Sequence, residues 1–452
     1  MDFRKDLRWI VEAQNRCIPL DERYSDEELE DLVEKTQMSY EQGLVDFSKC
    51  TEFRLRQGKK KRDVKKYTEF TPEEFLSIYL HNRLKHRFRV EFPNRNNYIR
   101  SLFNTMYALK DMSDYTIYKF DFKDFFNSIS SIYVYRKYIQ GQGLERYQED
   151  LLRKYVEETQ FAYAGLHTSN IICEIIARQF DEVLKQSFMR KGLIYYRRYI
   201  DDGILIFNRY VSRDECSTLV QLAVENVFHD STNDGCFCKT ALSTEKTKYI
   251  ARRHLKIGDP AFAVDFLGYE FSLSAKEKIT DIKYGITAEK IEKYRKKIRK
   301  FMRQYAKDST KSTELLRHQI KAFSHRTVYQ VVRNKQTIWI NKGFLANYHE
   351  LGNHLDQLSV DTDQFLRNAL TEEAMNVLGK IPYFLKNSDR PESIYNLFYN
   401  LQRNRTQVFA ERIGIGYETL RRMSREIGID PDSCKSYDSL LKAYLRKAGV
   451  GY

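Results

Sequence analysis

Two adjacent aspartates, Asp201 and Asp202, are the residues of this chain best suited to chemistry. They lie between residues 195–199 and 204–207, two runs rich in aromatic and β-branched residues that favour β-strands. Because Asp-Asp-Gly is a turn-forming group, the segment predicts a β-hairpin with both carboxylates at its tip. Carboxylates held this close repel each other unless a cation neutralises them, and hard oxygen ligands suit Mg²⁺ or Mn²⁺. The alternative is an exposed turn between two surface strands.

A third aspartate, Asp121, stands in a segment where aromatic residues at 118, 120 and 122 alternate with charged residues at 119, 121 and 123. This period of two predicts a β-strand that holds Asp121 on the face opposite the phenylalanines. An unpaired carboxylate is costly to bury, so a buried Asp121 needs a partner. We interpret it as a candidate third metal ligand. The alternative is a structural or exposed aspartate.

Helices are predicted around these strands. Thr71-Pro72-Glu73-Glu74 combines a capping residue, a proline and acidic residues, as at the start of a helix. Residues 145–160, 171–185 and 213–228 have apolar residues at helical spacing. The loop that contains Gly165 and Ser169 precedes the second of these helices, and a loop of this kind can bring backbone N–H groups close to a nucleotide.

The overall charge favours a polyanionic partner. Lys and Arg number 76 against 62 Asp and Glu, which gives a net charge of +14 and a pI near 9.2. The densest basic run, residues 58–66, is either a solvated loop or a phosphate contact. A helix predicted after Thr287 carries basic residues on its polar faces. These residues form either a solvated basic face or a contact with a nucleic-acid backbone.

The compartment follows from cysteine usage and hydropathy. The seven cysteines are odd in number and scattered, without the spacing of a zinc site, so reduced thiols in a cytoplasmic protein are expected. The N-terminus has no apolar core typical of a signal peptide, and no apolar run reaches transmembrane length. We therefore expect a soluble chain that does not bind a membrane.

Together, the motifs resemble the palm motifs of reverse transcriptases in their usual order, over roughly residues 85 to 275. The Tyr-X-Asp-Asp signature is specific on its own within that family. The matching segments are 120–126, 165–170, 199–202, the region of Lys246, and Phe266-Leu267-Gly268-Tyr269.

The resemblance implies a role for each matching residue. Asp121, Asp201 and Asp202 would be catalytic and would bind two Mg²⁺ ions, with Mn²⁺ as a substitute. Phe126 would exclude a ribose 2′-hydroxyl and so select deoxynucleotides. The nucleotide contacts would be Gly165, Ser169, Lys246 and one arginine between 83 and 100, for which Arg95 is the candidate. The primer end would be held by Phe266, Leu267, Gly268 and Tyr269.

The segment 164–170 departs from the common reverse-transcriptase pattern and indicates which type of reverse transcriptase the chain resembles. Ala164-Gly165 and Ser169-Asn170 replace the usual Gln-Gly and Ser-Pro, which argues against retroviral and group II intron enzymes. The form resembles the bacterial abortive-infection and defence-associated reverse transcriptases. It implies an RNA-directed DNA polymerase acting in antiviral defence, with deoxynucleotides as substrates, DNA as product and RNA as template, such as a structured non-coding RNA. A homo-oligomer is left open.

Two alternatives remain open at this stage. The same site could make DNA without a template or from a protein hydroxyl, for which Tyr383, Tyr395, Tyr399 and Tyr417 are candidates. A non-catalytic regulator that binds nucleic acid is the other. A loose helix-turn-helix spacing at Ala410, Gly414 and Leu420 is interpreted mainly as part of a helical bundle.

The resemblance implies an α+β fold class, a right-hand polymerase of fingers, palm with an antiparallel sheet, and thumb, followed by an all-α C-terminal domain. The predicted domains are N-terminal helices and fingers at 1–110, palm with interleaved fingers segments at 111–275, helical thumb at 276–345, and an α-helical domain at 346–452.

Overall fold

The structure, a computed structural model, is mixed α and β and divides into two units. It describes residues 3–19, 22–57, 60–229, 238–308, 312–333 and 336–450. The first unit comprises Met1–Glu12, Ser25–Leu267 and Leu273–Asp281, and the second comprises Ala13–Tyr24, Gly268–Ser272 and Ile282–Tyr452.

Helices in the first half of the chain begin where the sequence supplies caps. Ser25 forms a capping box with Glu28, and Thr71 accepts a hydrogen bond from the Glu74 backbone N–H, with Pro72 in the first helical turn. The helices are α1 Phe3–Asn15, α2 Asp26–Glu41, α3 Pro72–Arg87, α4 Arg95–Ala108, α5 Phe125–Ser128, α6 Ser131–Val134, α7 Arg146–Thr159, α8 His167–Phe188 and α9 Arg213–Phe228. The four helices predicted from sequence after Thr71 and over 145–160, 171–185 and 213–228 are confirmed as α3, α7, α8 and α9.

An antiparallel sheet lies at the centre of the first unit. Its strand order is β4-β5-β3-β6, and β7 also pairs with β3. The strands up to residue 286 are β1 Thr51–Gln57, β2 Lys60–Lys66, β3 Thr116–Lys123, β4 Leu193–Tyr199, β5 Asp202–Phe207, β6 Ala241–Leu242, β7 Lys248–Ala251, β8 Phe262–Phe266, β9 Tyr269–Lys276 and β10 Ile279–Ile286.

Helices α8 and α9 cover one face of this sheet through an aromatic cluster. The ring of Phe122 on β3 lies 5.2 Å from that of Phe180 on α8 and 5.7 Å from that of Phe228 on α9. These contacts bury the phenylalanine face of β3, and its other face is left for Lys119 and Asp121. The predicted alternation along β3 is therefore confirmed.

The basic run at 58–66 belongs to a β-hairpin, except for Gly58 and Lys59, which lie outside the described residues. Strands β1 and β2 pair in antiparallel register from Thr51↔Lys66 to Gln57↔Lys60. The alternative of a solvated loop is therefore wrong for residues 60–66.

The C-terminal region contains a sheet, so the prediction of an all-α domain was wrong. Strand β11 pairs antiparallel with β12 and parallel with β13. The elements after residue 286 are α10 Ala288–Lys307, α11 Glu314–Ser324, β11 Arg326–Arg333, β12 Gln336–Lys342, α12 Phe344–Tyr348, α13 Val360–Leu378, α14 Leu397–Gln402, β13 Thr406–Phe409, α15 Tyr417–Glu426 and α16 Tyr437–Lys447.

These strands also correct two other expectations. The segment 276–345, predicted as helical, contains β10, β11 and β12. The helix-turn-helix spacing falls on a loop after β13, because Ala410 and Gly414 precede the helix that holds Leu420. The predicted division into fingers, palm and thumb stays a prediction. Among the described helices, none combines the length and the apolar character that crossing a membrane requires.

The basic helix predicted after Thr287 is confirmed as α10, but α13 occupies part of its polar surface. Arg295 and Arg299 both form ion pairs with Glu373, whose carboxylate is almost fully buried. The pKa of Lys297 is lowered by burial, and its ammonium lies over the Phe323 ring. Only the remaining basic residues of α10 are available to a nucleic-acid backbone.

Candidate active site

Asp121 and Asp202 are direct cross-strand partners in the antiparallel pair of β3 and β5. Directly opposite residues have Cβ atoms about 4.5–5.5 Å apart, so the two side chains share one small region of the sheet. Asp201 lies next to them in the turn, and its carbonyl oxygen accepts a hydrogen bond of 2.9 Å from the Phe122 backbone N–H. The structure thus pairs Asp121 with Asp202 and places Asp201 next to Asp202 in the turn.

The hairpin turn itself is strained at Ile200. Tyr199 pairs with Asp202, which leaves Ile200 and Asp201 as a two-residue loop. The φ angle of Ile200 is +60°, a conformation that β-branched residues rarely adopt, and glycine or asparagine is usual in such loops. Backbone strain of this kind costs on the order of 1–3 kcal/mol and persists only where the surroundings hold it.

Arg198 connects the turn to helix α8. Its side chain is 2% exposed and forms hydrogen bonds with the carboxylates of Glu174 (2.8 Å) and Asp181 (2.9 Å) on α8. Nη1 of the same side chain donates to the carbonyl oxygen of Ile200 at 3.0 Å. The strained residue is therefore fixed to the helix behind the sheet through one buried cation.

Gly203 does not lie in the turn, as the sequence interpretation placed it, but in β5 opposite Phe120. A Cβ atom at this position would overlap the Phe120 ring. Glycine is needed here because the ring covers the strand next to Asp202. The Asp-Asp-Gly group is therefore one turn residue followed by two strand residues.

Lys119 lies between two carboxylates at the same site. Its Nζ atom is 3.3 Å from Asp202 Oδ1 and 2.7 Å from Asp265 Oδ2, and its side chain is 5% exposed. Burial raises the pKa of Asp202 to about 7; Lys119 acts in the opposite direction, and Asp265 and Asp121 add to the rise. One ammonium group is thus too little positive charge for this cluster.

Lys246, predicted to contact the nucleotide, forms an ion pair with Asp121. Its Nζ atom lies 2.5 Å from Asp121 Oδ1, although its side chain remains 44% exposed. Ser243 also binds this strand, because its backbone N–H donates to the Asp121 carbonyl oxygen at 2.8 Å. Lys246 is therefore anchored at the site by its backbone segment, while its ammonium group can reach solvent.

The site fits a divalent cation on two observations. Asp202 Oδ1 is buried, and its contact with the Lys119 ammonium at 3.3 Å is long and poorly aligned for a hydrogen bond. The available donors are carboxylate oxygens, which suit Mg²⁺ and Mn²⁺. Asp121, Asp201 and Asp202 are the residues that would hold such an ion.

The other predicted nucleotide contacts differ in how far they are exposed. Phe126 lies in the short helix that begins after Asp124, whose φ is +48°, and it is 9% exposed beside Phe125. Gly165 is exposed, and a Cβ atom there would overlap the Lys65 backbone of the β1–β2 hairpin. Ser169 is fully buried and its hydroxyl lies 3.2 Å from the Tyr155 hydroxyl, so it packs inside the unit rather than facing a nucleotide.

The Phe266-Leu267-Gly268-Tyr269 segment, expected to hold the primer end, is a tight turn between β8 and β9. Leu267 and Gly268 have φ angles of +52° and +87°, as two-residue hairpin loops of this kind require. Phe266 and Tyr269 are fully buried on either side of the turn. Arg95 Nη2 donates to the Leu267 carbonyl oxygen at 2.8 Å, so the structure joins Arg95 to this turn.

Sequence reasoning missed three supporting residues, namely Lys119, Asp265 and Arg198. Each had a local signal: Lys119 and Asp265 are charged residues inside apolar strands, and Arg198 precedes the aspartates in a strand rich in tyrosine. A buried charge needs a partner, so each of them could have been matched with a carboxylate or a cation.

Comparisons with known proteins add little to this geometry. No protein-family model and no curated protein matches the chain. A solved telomerase from Candida albicans, in complex with a fragment of telomeric RNA, is 12% identical with a TM-score of 0.36, over 82% of this chain and 56% of that one. An apo telomerase from Candida tropicalis, truncated from its C-terminal domain, is 13% identical with a TM-score of 0.29, over 50% and 53%. The chain thus spans little more than half the length of each, and likenesses this weak carry no weight for its activity.

Proposed function

We propose that the chain is an RNA-directed DNA polymerase that adds deoxynucleotides to a primer end by metal-dependent phosphoryl transfer. The observation that carries this proposal is the direct pairing of Asp121 with Asp202, with Asp201 in the adjoining turn. Phosphoryl transfer asks a protein mainly for positioning and for stabilisation of negative charge. Rigid carboxylates on neighbouring strands are suited to both.

When bound at the aspartates, two Mg²⁺ ions would activate the attacking hydroxyl and stabilise the leaving pyrophosphate. The chain's own residues prepare this arrangement. Arg198 and Phe122 fix the turn through the carbonyl oxygens of Ile200 and Asp201, which limits movement of the Asp201 side chain. Lys119 keeps Asp202 beside Asp265.

Lys246 is proposed to bind the triphosphate. Its ammonium rests on Asp121 and is nearly half exposed, so it is free to transfer to a phosphate oxygen once another cation neutralises the aspartate. Phe126, on the short helix after β3, is proposed to exclude the ribose 2′-hydroxyl. Gly165, exposed and held against the basic β1–β2 hairpin, would border the nucleotide. Arg95 and the turn at Leu267 are proposed to act together at the primer end.

The template and biological role rest on the motif resemblance alone. The unusual Ala164–Asn170 segment supports an enzyme of the bacterial defence-associated type, with a structured non-coding RNA as template or partner. Sequencing the nucleic acid that co-purifies with the chain tests this part of the proposal. Recovery of random cellular RNA and DNA would contradict it.

The activity is tested by primer extension on an RNA template with Mg²⁺. We expect the wild-type chain to extend the primer and Asp121→Asn and Asp201→Asn to lose extension by at least about 10³-fold, because charge stabilisation supplies most of the rate. Asp259→Asn, a change of the same charge in an exposed loop, is the matched control. Full extension by both active-site variants would rule out this site.

One observation favours a second mode, in which DNA synthesis starts from a protein hydroxyl. Of the four tyrosines considered, Tyr383 is 85% exposed, whereas the Tyr395 hydroxyl accepts a hydrogen bond from Arg317. If this mode operates, DNA will remain attached to the chain after phenol extraction, and Tyr383→Phe will abolish the attachment while Tyr395→Phe will not.

A further inference from the structure

Two cations and a histidine gather in the second unit where α11 ends and two parallel strands begin. Lys321 lies in the last turn of α11, His325 connects α11 to β11, and Arg405 directly precedes β13. We call these three residues the basic corner. The Arg326 backbone N–H donates to the Arg405 carbonyl oxygen at 3.0 Å, which fixes the two segments side by side.

A cavity of about 540 Å³ opens at the basic corner. Lys321, His325 and Arg405 line it together with Thr406 and Gln407. This volume is within the range of roughly 300–1,000 Å³ that small-ligand sites occupy. The cavity therefore offers cations and polar groups to a ligand of nucleotide size.

The charges of the basic corner are not compensated within the described part of the chain. None of the three side chains forms an ion pair there, and Arg405 Nη2 donates only to the backbone carbonyl oxygen of Glu392. Burial and the neighbouring Lys321 and Arg405 lower the pKa of His325 to about 4. The pKa of Lys321 is also lowered, by burial and Arg317, and Glu426 opposes this only as a minor influence.

A polar atom that lines the cavity lacks a partner. Gln407 is 6% exposed, and its Oε1 atom accepts no hydrogen bond. Buried polar groups are nearly always paired, so this orphaned acceptor beside uncompensated positive charge indicates a polar ligand that also offers a hydrogen-bond donor, as the hydroxyl and base groups of a nucleotide do.

We propose that the basic corner binds a phosphate group, carried by a free nucleotide or by a nucleic-acid strand. A phosphate carries one negative charge in a strand backbone and about two in a monoester, and arginine binds its oxygens in a planar, bidentate manner. A carboxylate has fewer acceptor oxygens to share between Lys321 and Arg405. The proposal does not depend on polymerase activity, because none of these residues belongs to the aspartate site.

Binding is measured on the full chain in EDTA, which prevents metal-dependent binding at the aspartates. The probes are inorganic pyrophosphate, followed by calorimetry, and a fluorescein-labelled 20-nucleotide oligothymidylate, followed by anisotropy. We expect Arg405→Gln and Lys321→Gln each to weaken binding of at least one probe by about ten- to hundredfold, as expected for loss of a charged hydrogen bond. Arg390→Gln, at an exposed arginine that does not line the cavity, is the matched control.

The two probes separate the sources of the phosphate. Loss of pyrophosphate binding assigns the site to a free phosphate compound. Loss confined to the oligonucleotide, with a shallower salt dependence, assigns it to a strand backbone. Unchanged affinity for both probes in both variants overturns the proposal, whatever the outcome of primer extension.

Thermal unfolding provides a readout that a structural role would not give. If the cations are kept for a ligand, removing one relieves repulsion, so Lys321→Gln will unfold without phosphate at the wild-type temperature or above it. Pyrophosphate will then raise the unfolding temperature of the wild-type chain and not that of the variant. A variant that unfolds earlier and still responds to pyrophosphate contradicts the proposal.

Discussion

Arg198 donates a hydrogen bond from its buried guanidinium to the carbonyl oxygen of Ile200, the residue of the aspartate turn with a φ of +60°. The same guanidinium bridges Glu174 and Asp181 on α8. The turn that positions Asp201 therefore depends on a charge network on the opposite side of the strand. Strain in the turn and stability of the unit are linked through one side chain.

Replacing Arg198 with methionine will therefore destabilise the first unit strongly. The change leaves the buried Glu174 carboxylate and the partly buried Asp181 carboxylate without a cation, and breaking a buried ion pair in this way costs about 3–5 kcal/mol. Denaturant unfolding followed by Trp9 fluorescence measures the loss. Arg197→Met, a change at the exposed neighbouring position, is expected to cost less than about 1 kcal/mol. Equal losses in the two variants would contradict the role of the network.

A second prediction concerns Gly203 and Phe120. Gly203→Ala will destabilise the first unit by about 1–3 kcal/mol, because the added methyl group overlaps the Phe120 ring. Primer extension, if present, will fall with it, since the clash lies next to Asp202. A double-mutant cycle with Phe120→Leu checks the cause. The double variant should recover part of the stability lost in Gly203→Ala, and strictly additive effects would show that the ring is not the obstacle.

The aspartate strand, the hairpin and the helices around them could be predicted because their patterns are local. Alternation along 117–123 predicts a strand, and Thr71 and Thr287 mark the starts of two helices. Each of these signals lies within a few residues of the element that it predicts. The strained turn could not be predicted this way. Ile200 adopts a conformation against its own preference because Arg198 holds it, and that contact depends on α8, which is distant in sequence.

The sheet of the second unit was missed although its signal was present. Residues 327–332 and 337–340 are rich in β-branched and aromatic residues, which favour strands over helices. The prediction of helices throughout residues 276–452 overlooked these strand signals. The pairing of β11 with β13 joins segments about 80 residues apart, and no local pattern predicts a partner at that separation. The basic corner was missed for the same reason.

Divalent cations will stabilise the first unit through the aspartates. At about ten times its dissociation constant, Mg²⁺ should add about 1.4 kcal/mol to the free energy of unfolding, since it binds only the folded site. Thermal unfolding with and without 10 mM Mg²⁺ measures this effect. Asp121→Asn should remove the response, and Asp259→Asn should keep it. A response that survives in Asp121→Asn would place the bound cation elsewhere.

Phe126→Ala will allow ribonucleotides into the product if the proposed polymerase is correct. Loss of the ring opens space beside the sugar, and we expect discrimination against ribonucleotides to fall by at least about tenfold. Single-nucleotide extension with each deoxynucleotide and its ribonucleotide counterpart measures the ratio. Phe125→Leu, at the adjacent buried residue, controls for general loosening of the short helix. Unchanged discrimination in Phe126→Ala would assign the exclusion to another group.

His325 predicts an acid sensitivity of the second unit. Burial beside Lys321 and Arg405 lowers its pKa to about 4, whereas the unfolded chain should titrate near about 6.5. Between these values the unfolded state binds the proton more readily, so stability is lost as the pH falls from about 6.5 to 4, by at most about 3 kcal/mol. Denaturant unfolding at pH 7 and pH 4.5, followed by Trp339 fluorescence in a Trp9→Phe chain, measures this loss. His325→Gln should reduce the pH dependence, and His86→Gln, an exposed histidine of the first unit, should leave it unchanged. If His325→Gln loses as much stability on acidification as the wild-type chain, another group is responsible.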